Sequence, residues 1–338
     1  MKTSKVIFLL MLALVLVLSA GCSGKPIPLE EPVEQVPTAA ELQASLEDNG
    51  STREVTLYYK DLMGYLVPVN CEIPWEEGIA KATLKQMVSS EENDLQAARL
   101  GLLTALPEGL QVDMDIIGQT AKVSLSDECM KCVDAEEENA MVCAIVSTLT
   151  EFDSIEEVQL LVDGEQVDHL THGTNVGAPL TRADLNIESV SADTDLNGSS
   201  AVQVFFESEA SGCMVPVTRT VFSNPDVDTA VLELLKGPKE DSGLAGCLPR
   251  GVGLISVKQK DGIVTINMSK EFKQVVDQAD GGAAAVKALV LTCSQFDGVK
   301  EVKLQVEGED FQLETETLAA TSVVNTEQEA LMASAVIE

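Results

Sequence analysis

The side chains best suited to chemistry in this chain are its cysteines. Cys129 and Cys132 stand three apart with Cys143 beyond, and two thiolates at that spacing can grip one zinc ion or cycle as a redox pair. His169 and His172 follow Asp168 at a spacing that on a helix could serve a metal, but the segment runs into Gly173 without helical periodicity and reads as a polar turn. Asp127 and Glu128 could form a glycosidase dyad. Adjacent acids also suit the first turn of a helix, where the macrodipole favours negative charge. The sequence holds no phosphate loop ending in Lys-Ser/Thr, no G-x-S-x-G elbow and no H-E-x-x-H helix. With only 2 histidines in the chain, the commonest proton-transfer group is scarce. These residues do not describe an enzyme.

A further cysteine carries an address. Lys2 and Lys5 precede an unbroken apolar run from Val6 to Leu18, the pattern of an export signal and shorter than the roughly 20 residues of a spanning helix. The run ends at Leu18-Ser19-Ala20-Gly21-Cys22, which resembles a bacterial lipobox with Ser19 where a branched apolar residue is usual. That resemblance implies diacylglycerol on the Cys22 thiol, cleavage between Gly21 and Cys22, and a new amino group open to acylation. The alternative is an ordinary secretory signal with a chance cysteine. Two or more acyl chains hold a protein on a membrane stably, whereas one attaches it reversibly. The expected location is therefore the cell membrane, on its extracytoplasmic face.

Composition agrees with a folded body behind such an anchor. The 338 residues are 45% hydrophobic but 4% aromatic, and the formal net charge is -33. A surface that negative repels phosphate backbones and anionic lipid, so nucleic acid is excluded as a partner and no basic patch explains membrane attachment.

The elements that must position these residues come in two copies. Ile145 to Glu165 lies over Leu289 to Glu309 without a gap, and Val146, Thr148, Phe152, Asp153, Glu157, Val158, Leu160, Val162 and Gly164 recur as Val290, Thr292, Phe296, Asp297, Glu301, Val302, Leu304, Val306 and Gly308. Upstream, Val55–Tyr59 pairs with Val202–Phe206, Gly64–Val69 with Gly212–Val217, and Leu106-Pro107-Glu108-Gly109 with Leu248-Pro249-Arg250-Gly251. Each copy predicts two β-rich stretches, an amphipathic helix, a hairpin, a long helix and a last strand. The fold class is α+β, with a mixed or antiparallel sheet and helices packed on one face of each copy. The boundaries read as a signal over 1–21, a Pro/Glu-rich tether over 22–52, domain one over 53–183, a linker over 184–200, domain two over 201–314 and an acidic tail over 315–338 without an apolar face.

Duplication also supplies a control on the cysteines. Cys129 aligns with Phe272, Cys132 with Val275, Cys213 with Tyr65, Cys247 with Ala105 and Cys293 with Leu149, so no position is cysteine in both copies. Such thiols act as small hydrophobes. No metal site is expected. The weak candidates are Cys129, Cys132 and Cys143, and the same three are the candidates for a local disulfide of Cys129, which an exported protein allows.

Taken in order, the V-x-x-Y/F-Y/F strand, the G-x-L-V-P turn, the L-L-x-G-P helix end, the A-L-P-x-G turn, the V-x-L-S strand, the S-T-L-T-E-F helix end and V-x-L-x-V-D-G resemble the GerMN (germane) domain. Its naming member is a sporulation and spore germination lipoprotein with two such domains. The resemblance implies a noncatalytic extracytoplasmic domain similar to ring-building modules, acting as a scaffold or assembly factor for an envelope complex. Copy one departs from the pattern where Met87-Val88-Ser89-Ser90 replaces the L-L-x-G-P ending. Two other roles stay open: a lipoprotein that binds or processes peptidoglycan, and a metal-capturing one.

Overall fold

The structure, a computed structural model, describes residues 52–191, 193–280, 282–313, 320 and 323–337. The signal, Gly21, Cys22 and nearly all of the tether lie outside the described residues. Copy one opens with the antiparallel hairpin β1 (Thr52–Lys60) and β2 (Leu66–Pro74). Two helices follow, α1 (Ile79–Gln86) and α2 (Glu91–Arg99), and then the hairpin β3 (Val112–Ile117) and β4 (Thr120–Leu125). A 3-10 turn (Asp127–Lys131) leads into α3 (Ala135–Leu149) and into β5 (Glu157–Val162), which lies parallel to β4. Copy two repeats the order with β6 (Ser200–Ser208), β7 (Met214–Val221), α4 (Val227–Leu235), the short β8 (Leu244–Ala245), β9 (Leu254–Lys260), β10 (Ile263–Met268), a 3-10 stretch (Lys270–Asp277), α5 (Ala283–Ser294), β11 (Glu301–Val306) and β12 (Glu309–Phe311). Each copy thus divides its strands between an antiparallel hairpin sheet and a mixed sheet, ordered β3-β4-β5 in one and β9-β10-β11-β12 in the other.

Local chemistry explains the elements. Asp134 caps α3 by accepting from the backbone N–H groups of Glu136 and Glu137 at 3.0 and 2.8 Å, and Asp226 caps α4 through Thr229 N at 2.9 Å. α3 buries Met141, Val142, Ile145, Val146 and Leu149, and α5 buries Val286, Leu289, Val290 and Cys293. A helix apolar on most sides must lie inside; α3 packs on β1, and α5 on β6 and α4. Gly282 caps α5 at φ 92°, where a Cβ would come within 2.9 Å of Val275 Cβ, so only glycine fits. The departure at Met87–Ser90 has a structural counterpart: copy one inserts α2 there, capped by Ser90, which accepts from Asn93 N at 3.2 Å.

The buried side chains of both copies join one connected core. The tail expectation needs correction. Residues 315–338 include α6 (Glu327–Ile337), started by a reciprocal capping box in which Thr326 N donates to Glu329 Oε2 at 2.8 Å and Glu329 N to Thr326 Oγ1 at 3.2 Å. Ala330 is buried and Lys287 Nζ meets Glu329 Oε1 at 2.8 Å, so the start of α6 is docked on the body. The linker expectation changes too, since Leu185 is buried and the residues after it are tied into the hairpins.

Candidate functional site at the junction of the two copies

Where the copies meet, β2 packs beside β7, yet the two are not neighbours in a common sheet. Each carries a proline there, Pro68 and Pro216, with no N–H to give. Asparagine side chains supply the missing donors. Asn186 accepts from Leu66 N through Oδ1 at 2.8 Å and donates through Nδ2 to Leu66 O and Pro216 O at 2.8 and 2.7 Å. Asn325 accepts from Met214 N at 2.8 Å and donates to Met214 O and Pro68 O, both at 2.9 Å. Leu66 aligns with Met214 and Pro68 with Pro216, so the two clamps are images of each other under a pseudo-two-fold.

The backbone follows the same rule. Ile187 bridges in parallel to Thr218, and Thr326 to Asn70, the aligned position. Each clamp rests on the segment that trails its copy: Asn186 follows copy one and bridges to β7, and Asn325 follows copy two and bridges to β2. Two further aligned residues touch across the junction: Ser208 Oγ donates to Asp61 Oδ2 at 3.0 Å, while Asp61 Oδ1 receives Met63 N and Tyr65 N. The sequence signal was present in Leu185-Asn186-Ile187-Glu188 and Val324-Asn325-Thr326-Glu327, but unequal insertions after Glu165 and Glu309 put these beyond the gapless match.

The two halves differ in charge. Arg219, largely buried, grips Glu188 in a fork at 3.1 and 2.9 Å, donates to Glu233 O and Gly237 O, and lies 5.1 Å over the Phe206 ring. Such bidentate charge-assisted bonds are strong and orienting. At the aligned positions the other half has Cys71 and Tyr59 of copy one and Glu327 of the segment that follows copy two; burial first, and the Glu327 charge second, push the Cys71 thiol up to about 12.

A cleft of about 370 Å³ opens at the junction, lined among others by Tyr58, Glu151, Arg182, Gln203, Gln295 and Val324. Tyr58 OH donates to Glu151 Oε1 at 2.7 Å, and Arg182 reaches the same oxygen at 2.6 Å and the Tyr58 oxygen at 2.5 Å. Burial raises the Tyr58 phenol far above its ordinary range, the Arg182 charge pulling it down and the Glu151 charge pushing it up. The opposite wall has Phe205 and Gln295 in place of Tyr58 and Glu151, with Gln295 closed on the Gln203 backbone at 2.8 and 2.7 Å. Tyr58, Glu151 and Arg182 are thus spent on one another, an arrangement that holds shape and offers no poised nucleophile or base.

The residues singled out for chemistry do not converge. Cys129 sits on the 3-10 turn at 0% exposure, as does Phe272 on the matching turn, and Cys132 and Val275 are both buried. The disulfide candidates Cys129, Cys132 and Cys143 are free thiols in this structure. Cys129 and Cys132 fill core positions, with Cys132 Sγ 3.7 Å from Cys129 O, while Cys143 lies half-buried on α3. Burial pushes the Cys129 thiol up to about 12, the opposite of what a metal or redox thiolate needs. Among the described residues no group of His, Cys, Asp and Glu is arranged to hold a metal ion. Asp127 and Glu128 both pair with Lys131 at 3.3 Å. The Ser126 hydroxyl and backbone bonds hold the Glu128 carboxyl at about 2, whereas a glycosidase acid must be raised. His169 lies in the loop closing domain one, and His172 anchors it: the buried carboxylate of Glu138 accepts from His172 N and Thr174 N at 2.7 and 2.9 Å, and His172 Nε2 meets Cys132 O at 2.7 Å.

Fold and junction together define a class: a duplicated α+β module whose copies are fused about a pseudo-two-fold, each pinned by the other's trailing segment. Residues 56–168 and 203–312 match the Germane family, described as "Sporulation and spore germination". The chain is 31% identical over 299 residues to spore germination protein GerM of Bacillus subtilis (strain 168), covering 84% of this chain and 81% of that protein. The solved tandem GerMN domains of the sporulation protein GerM from Bacillus subtilis superpose with TM-score 0.70 at 30% identity, over 82% of this chain and 99% of that one. The chain belongs to the Germane (GerMN) family.

Proposed function

We propose that the protein is a lipid-anchored envelope component, held at the extracytoplasmic face through Cys22, that works as a noncatalytic scaffold or assembly factor in sporulation or germination. The observation that carries this reading is the junction. Two copies are welded into one core, and Tyr58, Glu151 and Arg182 in the junction cleft are committed to one another. Such a body spends its polar groups on holding the copies together and presents surfaces, which suits binding. Membership of a family described by sporulation and germination supplies the setting, and the run ending at Gly21-Cys22 supports the anchor.

The test is a crosslinking pull-down of the full chain from growing and from starved or sporulating cells, with Cys22→Ala as control. The expected result is a membrane protein complex recovered only under developmental conditions and lost with Cys22→Ala. Recovery of the same partners during growth, or of peptidoglycan fragments alone, overturns the developmental scaffold and favours general wall binding.

A further inference from the structure

The two mixed sheets have four end strands, β3 and β5 in one and β9 and β12 in the other. β3, with α1 packed beside it, and β9, with α4 packed beside it, each lack a strand partner on the outer side, and their exposed side chains carry opposite charge. β3 presents Asp113 and Asp115, and β9 presents Lys258 and Lys260. Asp113 already meets Lys81 at 2.6 Å; among the described residues, Asp115, Lys258 and Lys260 make no ion pair. In a chain of net charge -33, two uncommitted lysines on one open strand stand out. Ile116, 45% exposed on β3, and Ile255, 51% exposed on β9, add apolar surface to the same edges.

We propose that these edges are complementary, so that β3 of one molecule adds to β9 of a second copy of this chain. The pairing is antiparallel, with Asp115 opposite Lys258 and Asp113 opposite Lys260. Three independent features select that register. Opposite charges fall directly across from each other, the arrangement that stabilises cross-strand pairs. On the other face Ile116 falls opposite Val257, with Ile255 as its diagonal neighbour. Hydrogen-bond parity also fits. Ser126 N donates to Gln111 O, so by alternation the backbone groups of Met114 and Ile116 point away from β4. Lys260 and Ile263 flank the two-residue turn Asp261–Gly262, with φ 53° and 83°; in such hairpins the flanking pair is bonded inward, leaving Val257 and Gln259 pointing out. Met114 then meets Gln259, and Ile116 meets Val257, as hydrogen-bonded pairs. The contact is head to tail, the kind that continues into rings or filaments.

Lysines on an edge strand can instead be guards against association, and the experiment separates the two roles. The full chain is sedimented in mild detergent over a concentration series at low and high salt, alongside Asp115→Lys, Lys258→Asp and an equimolar mixture of the two variants. The expected result is self-association that weakens with salt, is lost in each variant alone and returns in the mixture; the return also shows that both variants are folded. A chain that stays monomeric throughout, or associates regardless of either reversal, overturns the proposal. So does stronger association of Lys258→Asp, the signature of a removed guard. None of these outcomes bears on the pull-down described above, because a monomer can still hold an envelope complex.

Discussion

The clamp after copy one and the clamp after copy two do the same task by different means. Asn186 and Asn325 make equivalent bonds, but the first is backed by the Arg219–Glu188 fork and the second by the docked start of α6. At the position of Arg219 copy one has Cys71, a neutral buried thiol. Duplication kept the geometry that closes the junction, and divergence acted on what surrounds it. The polar groups that survived are those whose removal would strand buried backbone atoms.

The largest test of that contrast is to break the charged half. Arg219→Ala takes a donor from the Glu233 and Gly237 carbonyls and leaves Glu188 only Lys239 at 3.7 Å, with an expected loss of about 3 kcal/mol in denaturant unfolding. Cys71→Ala at the matched position removes only a small buried volume, about 1 kcal/mol. Equal losses would mean that Arg219 serves packing alone.

Next comes the amide pair. Asn325 is buried and its loss strands Met214 N, Met214 O and Pro68 O, so Asn325→Ala is expected to cost about 2–4 kcal/mol. Asn186 is more exposed and water can replace part of its bonding, so Asn186→Ala is expected to cost about 1–2 kcal/mol. The order of the two unfolding midpoints is the readout.

The smallest effect separates a loop that copy one alone carries. Burial raises the Glu138 carboxyl, but its bonds from His172 and Thr174 outweigh that and hold it below its ordinary 4.5. A lowered folded value stabilises above the unfolded value and is lost as pH falls through the folded one. The protection factors of the amides in residues 168–177 are therefore expected to be steady from neutral pH to about pH 5 and to fall below it. Glu138→Gln is expected to abolish that pH step and to cost about 1–2 kcal/mol.

Much of the fold was legible because it rests on periodicity. Val55–Tyr59, the Asp226-capped helix and the hairpins around Gly118 and Gly262 follow from alternating or helical apolar spacing with turn residues between. The cysteines were legible for a related reason: their partners in the other copy are Phe272, Val275, Ala105 and Leu149, so their burial could be read by alignment. The clamps were not. Asn186 and Asn325 lie in stretches whose composition is that of linkers, and a polar residue between apolar runs reads as solvated. Thr326-x-x-Glu329 was a readable helix start that the acidic composition of the tail obscured.

What the sequence determined by itself was the repeat, the α+β class, the family and the export pattern, because each is carried by local spacing along the chain. Only the tertiary structure decided that Pro216 would come beside Leu66 and Pro68 beside Met214 across the junction, that each copy's trailing segment would close the other's hairpin, and that Arg182 would pair with Glu151 in the cleft. Those outcomes depend on which backbone groups are left without partners once the copies pack, and a buried unpaired group is costly wherever along the chain its partner comes from.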